Sequence, residues 1–429
     1  MPAPRNTISL TSAAWLSAPE TRVVLRALTA AGFEARVVGG AVRNALIGRP
    51  VADIDIATTA KPEQTIEAVQ KAGLKAIPTG LQHGTITVVA NHIPFEVTTL
   101  RTDVETDGRH ARVAFTADWA ADASRRDFTI NALYCDADGT IYDPIGGLAD
   151  IDPPRMRFIG IATDRIREDY LRILRFFRFT AAYTDGLLDG DGLAACHAER
   201  AGLAHVSAER IQAEFLKLLV AKHAEPVLTV MAAQGFLRLL LDTPCNVPSF
   251  ARLTAIEAAL GRAPDAIVRL AALTPATTAS ATHLAKKLRL SNADKTGLTH
   301  ASTAAVTCHR PGDEQRSRLA LYSDGADAFQ PSVMVAWARS GRPHDDVDWT
   351  ALYRLADRWT PPEFPLIGGD IVAAGVPPGP LIGELLNELE SWWIGQDFPP
   401  DRAAVLAELT RRLAINRPDA KPASGRTIK

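Results

Sequence analysis

Asp53 and Asp55 stand one residue apart, shortly after the pair Gly39-Gly40 and after Arg43. A strand is predicted over residues 53–56. Its side-chain period of two turns both carboxylates to one face and sends Ile54 and Ile56 into the core. Carboxylates held side by side are costly unless a cation sits between them. A glycine turn that feeds a helix N-terminus is a place for phosphate, and a guanidinium one helical turn in, that of Arg43, can reach a triphosphate. Together these residues point to a metal-dependent enzyme acting on a nucleotide triphosphate. Nucleotidyl transfer needs an activated hydroxyl and a neutralised triphosphate, and Mg2+ ions held by two or three carboxylates supply both. Glu96, on a strand predicted over residues 93–98, lies on the face opposite Phe95 and Val97 and is a candidate third carboxylate. A bare Asp-x-Asp is more often a solvated or structural pair. The nearby Gly-Gly, Arg43 and helix favour the metal reading.

The elements that must position these residues are legible in the apolar pattern. Residues 20–32 carry helical spacing and end at Gly32, a C-cap signal. Residues 35–38 form a short apolar run that reads as a buried strand. A helix over 41–47 follows the glycine turn and is ended by Gly48 and Pro50, and another spans 63–72. Two strands, over 82–89 and 93–98, are joined by a turn at Ala90-Asn91-His92. The polar, glycine-containing stretch 101–112 is expected to be a mobile loop. Residues 134–142 alternate around Asp138-Gly139, a hairpin signal, and the 143–147 segment is a tight turn. From Met156 the pattern is helical only. Residues 164–180 read as one helix, with Asp169, Arg172, Arg175 and Arg178 in a ridge opposite Leu171, Ile173, Leu174, Phe176 and Phe177. Ser207 is the expected N-cap of a further helix. Later helical patterns cover 227–241, 266–273, 283–290 and 316–322, and a Pro/Gly-rich turn at 375–380 joins two more. The pattern gives an α+β fold class: strands with helices over residues 20–150, then helices alone over 151–416, with a disordered tail over 417–429.

Composition narrows the classes. A 429-residue chain that is 47% hydrophobic and 22% charged has room for several globular domains. No apolar run approaches the roughly 20 residues of a membrane span. The first residues lack a basic start followed by an apolar core, so no signal peptide is expected and a cytoplasmic location is. Cys135, Cys196, Cys245 and Cys308 are far apart, match no metal spacing, and read as reduced thiols. A net charge of -2 excludes a globally basic nucleic-acid binder, so any positive surface must be local. Arg155, Arg157, Arg165, Arg167, Arg172, Arg175 and Arg178 make such a cluster, and Lys286, Lys287 and Arg289 a smaller patch that is equally well a solvated helix face.

Three motifs in order carry a resemblance: Gly39-Gly40-Ala41-Val42-Arg43 with Asp53-Ile54-Asp55, then Arg125-Arg126-Asp127-Phe128-Thr129-Ile130-Asn131-Ala132, then Glu168-Asp169-Tyr170-Leu171-Arg172 continuing to Arg175, Arg178 and Phe179. They resemble the class II tRNA nucleotidyltransferase and bacterial poly(A) polymerase family. The likeness is dense over residues 39–219 and weaker over 286–292 and 364–398. It implies a polymerase-β-like nucleotidyltransferase head, a mixed sheet with helices, followed by a helical neck over 151–225 for base recognition, then a helical body and tail over 226–416 for tRNA binding. It implies that Gly40 and Arg43 contact the triphosphate and Arg126 the nucleotide, that Asp53 and Asp55 bind Mg2+ with Glu96 as third carboxylate, that Asp169 and Arg172 read the base, and that Arg175 and Arg178 continue the nucleotide site. The family has Asp where this chain has Asn44, which would support the turn rather than bind metal.

The base-reading assignment also stands on chemistry. Cytosine and adenine each present an amino donor beside a ring-nitrogen acceptor. A carboxylate accepts from the first and a guanidinium donates to the second, whereas uracil and guanine present the reverse order and leave buried groups unpaired. The implied activity is template-independent addition or repair of the tRNA 3′ CCA end from CTP and ATP. Alternatives are a poly(A) polymerase or an enzyme adding only CC or only A. In this family a full-length 101–112 loop accompanies addition of A after CC, and poly(A) polymerases often carry a long basic C-terminal extension not seen here. A catalytically silent RNA-binding protein of the same fold is disfavoured by intact Asp53, Asp55 and Arg126.

Overall fold

Nine short strands and a succession of helices follow one another in a computed structural model that describes residues 9–105, 112–307, 309–398 and 400–415. Cys308, the centre of the 101–112 stretch and the 417–429 tail lie outside those residues. The strands are β1 (Ala35–Val38), β2 (Asp55–Thr58), β3 (Lys75–Gly80), β4 (Thr85–Ala90), β5 (Ile93–Thr99), β6 (Arg101–Glu105), β7 (Arg112–Phe115), β8 (Tyr134–Cys135) and β9 (Ile141–Tyr142). Seven of them form one sheet in the order β3-β4-β5-β2-β1-β8-β9, and β6 pairs with β7 alone. Within the larger sheet β2 and β5 run parallel and the other pairs antiparallel.

Register divides the sheet into two faces. Val37, Ile56, Val97 and Ile86 are partners across four strands and are all buried. This face lies against helices α2 (Pro19–Ala30) and α4 (Pro62–Lys71), which follow the short α1 (Ala14–Ser17), with α3 (Gly40–Leu46) between them in sequence. One residue along, Val38, Asp55, Glu96 and Thr87 form the corresponding row on the opposite face. A smaller cluster of Val38, Ala57, Leu100, Ala123, Ala132, Tyr134 and Ile159 covers part of that face, with Ala123 supplied by α5 (Trp119–Ser124), and Asp55 and Glu96 stay exposed. Asn91 and His92 take positive φ of 48° and 67°, which lets a two-residue turn join β4 to β5 with the strand twist preserved.

Four local expectations are corrected. β2 starts at Asp55, so Asp53 lies in the segment leading into the strand rather than on it. Gln82 and His83 belong to a 3-10 turn, and β3, not anticipated, precedes them. Arg101–Glu105 is strand rather than loop. The helix read over 164–180 is two: α6 (Ala162–Glu168) and α7 (Leu171–Tyr183). Asp169 breaks them with extended backbone (φ -155°, ψ 104°), and its Oδ1 accepts from Leu171 N at 3.1 Å, capping the new helix. The next residue, Tyr170, lies on Gly202, where any Cβ would collide with its ring. Helices α8 (Gly190–Ala198) and α9 (Ala208–Leu219) follow. Ser207 sits at the N-cap of α9 as expected, but its side chain makes no capping bond.

The chain divides into two units. One falls within Met1–Ala251, Ala263–Pro275 and Ala279–Lys295, the other within Arg252–Arg262, Ala276–Thr278 and Thr296–Lys429. The second is helical. In it His309 is buried and bonded to Ser332 Oγ at 2.7 Å. Its C-terminal helices Gly368–Ala373, Pro380–Gly395 and Arg402–Ile415 close over Ile371, Leu385, Leu389, Trp393, Val405 and Leu409.

Candidate active site

Gly39 takes φ 70° and ψ -117°, a conformation open to glycine, and so turns β1 into α3. A Cβ there would lie 3.7 Å from Arg126 Nη1, so the Arg126 guanidinium rests against the turn. Gly40 is the first residue of α3. Beyond the turn, Asp55 and Glu96 are direct partners across the parallel β2–β5 pair, which puts both carboxylates on one face. Asp55 is exposed, but the protein around its carboxyl limits hydration, and this, then the charges of Glu96 and Asp53, raises its pKa above the usual carboxylate value, while Arg126 works the other way. Among the described residues no group of three or more His, Cys, Asp or Glu side chains is drawn together to hold a metal. The three carboxylates are thus a cross-strand pair with Asp53 beside it, off the strand. Crowded oxygen donors of this kind fit a hard divalent cation.

Arg126 is held from behind by Asp122, a residue that the sequence reading did not single out. Its signal was present in the spacing, since Asp122 precedes Arg125 and Arg126 by three and four residues. Asp122 Oδ1 accepts from Arg125 Nε at 2.8 Å and Arg101 N at 3.3 Å. Its Oδ2 accepts from Arg126 Nη2 at 3.1 Å and the Tyr134 hydroxyl at 2.8 Å. Burial would push this carboxyl up, but Arg126, Arg125 and the Tyr134 hydroxyl hold it below the usual range.

Arg43 faces inward instead of reaching freely toward the turn's outer side. It is 4% exposed and lies over the Tyr183 ring at 3.8 Å. It donates to Asn131 Oδ1 at 2.5 Å and to Asn44 Oδ1 from Nε and Nη2 at 3.2 and 2.9 Å. Burial lowers its pKa to about 10, against the favourable influence of Tyr183 and Asp127. Asn44 supports the turn as expected, donating its own amide to Pro50 O at 3.0 Å.

The ridge residues are brought to this side of the head, but every one is already partnered. Arg172 donates to Glu168 Oε2 at 2.6 Å, to Arg165 O at 2.8 Å and to Arg125 O at 3.2 Å. Asp169 Oδ2 accepts from Arg210 at 2.6 Å. Arg175 donates twice to Asp127 Oδ2, at 2.8 and 2.6 Å, and Arg178 Nε to Glu214 at 2.5 Å. The Asp127 carboxyl, whose burial works against ionisation, is kept low by Arg175 and Asn131. With Arg157 on Asp150, Arg165 on Glu168 and Arg167 on Glu199, most of the expected basic cluster is neutralised by the chain's own carboxylates. Asp127, Asn131, Glu168, Arg210 and Glu214 are the partners that sequence spacing did not identify as a set. A cleft of about 960 Å³ lined by Ser124, Arg157, Arg165 and Asp189 lies nearby and includes none of the three carboxylates.

A mixed sheet carrying paired carboxylates beside a glycine turn, followed by helices, defines a nucleotidyltransferase head with a helical continuation. Residues 35–157 match the Poly A polymerase head domain, and residues 188–245 match a region described as the probable RNA and SrmB- binding site of polymerase A. The chain is 35% identical over 393 residues to CCA tRNA nucleotidyltransferase 1, mitochondrial, of Danio rerio, covering 88% of both chains. It is 33% identical over 400 residues to the CCA-adding enzyme of Streptococcus sanguinis, covering 92% of this chain and 97% of that one. The crystal structure of Bacillus stearothermophilus CCA-adding enzyme in complex with CTP superposes with a TM-score of 0.72 at 29% identity, over 92% of this chain and 97% of that chain. The chain belongs to the tRNA nucleotidyltransferase and poly(A) polymerase family, and within it to the CCA-adding enzymes. The α+β head followed by helices agrees with that family's fold, and among the described residues no helix is long and apolar enough to cross a membrane.

Proposed function

We propose that this chain is a template-independent nucleotidyltransferase that builds or repairs the 3′-terminal CCA of tRNA from CTP and ATP. The observation that carries the reading is the Asp55–Glu96 cross-strand pair with Arg126 beside it, in a chain of the CCA-adding family. Asp53, Asp55 and Glu96 would hold Mg2+, which supplies charge neutralisation at the triphosphate and activation of the RNA 3′-hydroxyl. Arg126, packed on Gly39 and adjoining Gly40, binds the triphosphate. Arg43 holds the turn from beneath through Asn131 and Asn44. Asp169 and Arg172, at the start of α7, read the base by exchanging Arg210 and Glu168 for its amino group and ring nitrogen. Arg175 and Arg178 fix the neck beside the head through Asp127 and Glu214. The head spans residues 20–150, the neck 151–225, and the body and tail, which bind the tRNA, 226–416. A cytoplasmic location accords with the free thiols of Cys135, Cys196 and Cys245.

The decisive experiment offers a tRNA lacking CCA with CTP and ATP, singly and together, followed by sequencing of the 3′ ends. Addition of CC with CTP alone and CCA with both supports the reading, while a long A tract or no addition overturns it. Asp53→Ala with Asp55→Ala is expected to abolish incorporation and leave tRNA binding intact. Incorporation retained by that double variant would remove the assigned metal ligands.

A further inference from the structure

Arg126 lies between two acidic groups. Its charge acts on Asp55, yet its hydrogen bond goes to Asp122. Asp122 is 1% exposed, and four donors divide its two oxygens. The Tyr134 hydroxyl and Arg126 share Oδ2, so the hydroxyl fixes the oxygen on which the guanidinium hangs. The other oxygen ties the same carboxylate to the first backbone N–H of β6 and to Arg125, whose carbonyl accepts from Arg172 of the neck. A buried carboxylate is tolerated only when its lone pairs are filled, and here the filling groups all converge on one arginine's placement. Without Asp122, the acidic group that already feels the Arg126 charge is Asp55. A guanidinium drawn there would neutralise that carboxylate and leave the glycine turn.

We propose that Asp122 is a positioning residue for nucleotide binding: it aims Arg126 at the Gly39-Gly40 turn and keeps it off Asp55. This rests on the reading of Arg126 as a triphosphate ligand. The test is equilibrium binding of CTP in the absence of tRNA, measured for Asp122→Asn, Arg126→Gln and the double variant, with each protein's thermal unfolding recorded. Asp122→Asn is expected to weaken CTP binding about tenfold, the size of one charge-assisted hydrogen bond. Arg126→Gln weakens binding as well, and Asp122→Asn adds nothing in that background. Tyr134→Phe, which removes one donor and keeps the ring, gives a smaller weakening in the same direction and decides the matter where Asp122→Asn does not fold. If Arg126→Gln binds CTP normally, the reading of Arg126 fails and this inference with it. If Arg126→Gln weakens binding but folded Asp122→Asn does not, or if the two effects add, Asp122 does not position Arg126.

Discussion

Asn44→Asp is the perturbation whose sign the structure makes most definite. Arg43 is 4% exposed and hydrogen-bonds only to neutral groups, the side chains of Asn44 and Asn131. Its pKa is lowered from 12.5 to about 10, which corresponds to about 3 kcal/mol by which the site disfavours the charged form. A carboxylate at position 44 would accept from Nε and Nη2 where the amide oxygen does now. That converts neutral-acceptor bonds to charge-assisted ones, a gain of about 1.5–3 kcal/mol. The change also removes the amide that donates to Pro50 O at 3.0 Å, a loss of about 1 kcal/mol. The expected net is a stabilisation of about 1 kcal/mol, read as a higher urea midpoint of the first unfolding transition with an unchanged slope. Because the Pro50 bond restrains the segment leading to Asp53, the same variant should turn over CTP more slowly at saturation. A variant no more stable than the parent, with the same slope, would refute the view that Arg43 gains from a charged hydrogen-bond partner.

Two other outcomes follow from the same structure. Arg172→Ala is expected to lose the preference for CTP and ATP over UTP and GTP, measured by competing the four nucleotides on one tRNA. Unchanged selectivity would show that another group reads the base. His309 is pushed down to about 4, mainly by burial and then by Arg316. A folded pKa below the unfolded one means that the unfolded chain takes up the proton first as pH falls, so stability is full above about pH 6.5 and is lost toward pH 4. The loss is at most about 3 kcal/mol. Urea unfolding across that window should show it in the parent and not in His309→Leu, and identical profiles would refute it.

What the sequence disclosed was local. The turn at Gly39-Gly40, the Asp55 and Glu96 side-chain directions and the hairpin at Asp138-Gly139 each depend on a few consecutive residues whose periodicity or turn chemistry is unambiguous. What it withheld was mostly pairing at a distance. Arg175 meets Asp127 across 48 residues, Arg178 meets Glu214 across 36 and Arg210 meets Asp169 across 41. No spacing rule reaches that far, so a run of arginines reads as an open basic surface. The break between α6 and α7 was hidden for a different reason. Apolar spacing continues through Asp169 and Tyr170, and the contrary signal was electrostatic: Arg165 and Arg167 in the last turn of α6, then Asp169 just ahead of the start of α7 at Leu171. The Asp53 displacement has a similar origin, since alternation alone cannot say at which residue a strand gains its ladder partner.

If Asp169 and Arg172 read the base as proposed, their pairing changes how the neck chooses a nucleotide. If Arg172 and Asp169 were unpartnered in the free protein, any base offering hydrogen bonds would gain from them. They are instead satisfied by Glu168 and Arg210, so a correct base replaces one set of charge-assisted bonds with another and gains little net free energy. On that reading affinity comes from the triphosphate end, where Arg126 and the carboxylates would act alike on every nucleotide. A wrong base removes the internal partners and returns nothing, which leaves a half-buried charged group unpaired at a cost of about 1–3 kcal/mol, or about 5- to 150-fold for each group. Selection on this arrangement works by penalty, not by attraction. That is the property a template-free enzyme needs if it is to accept two bases of different size and refuse two others.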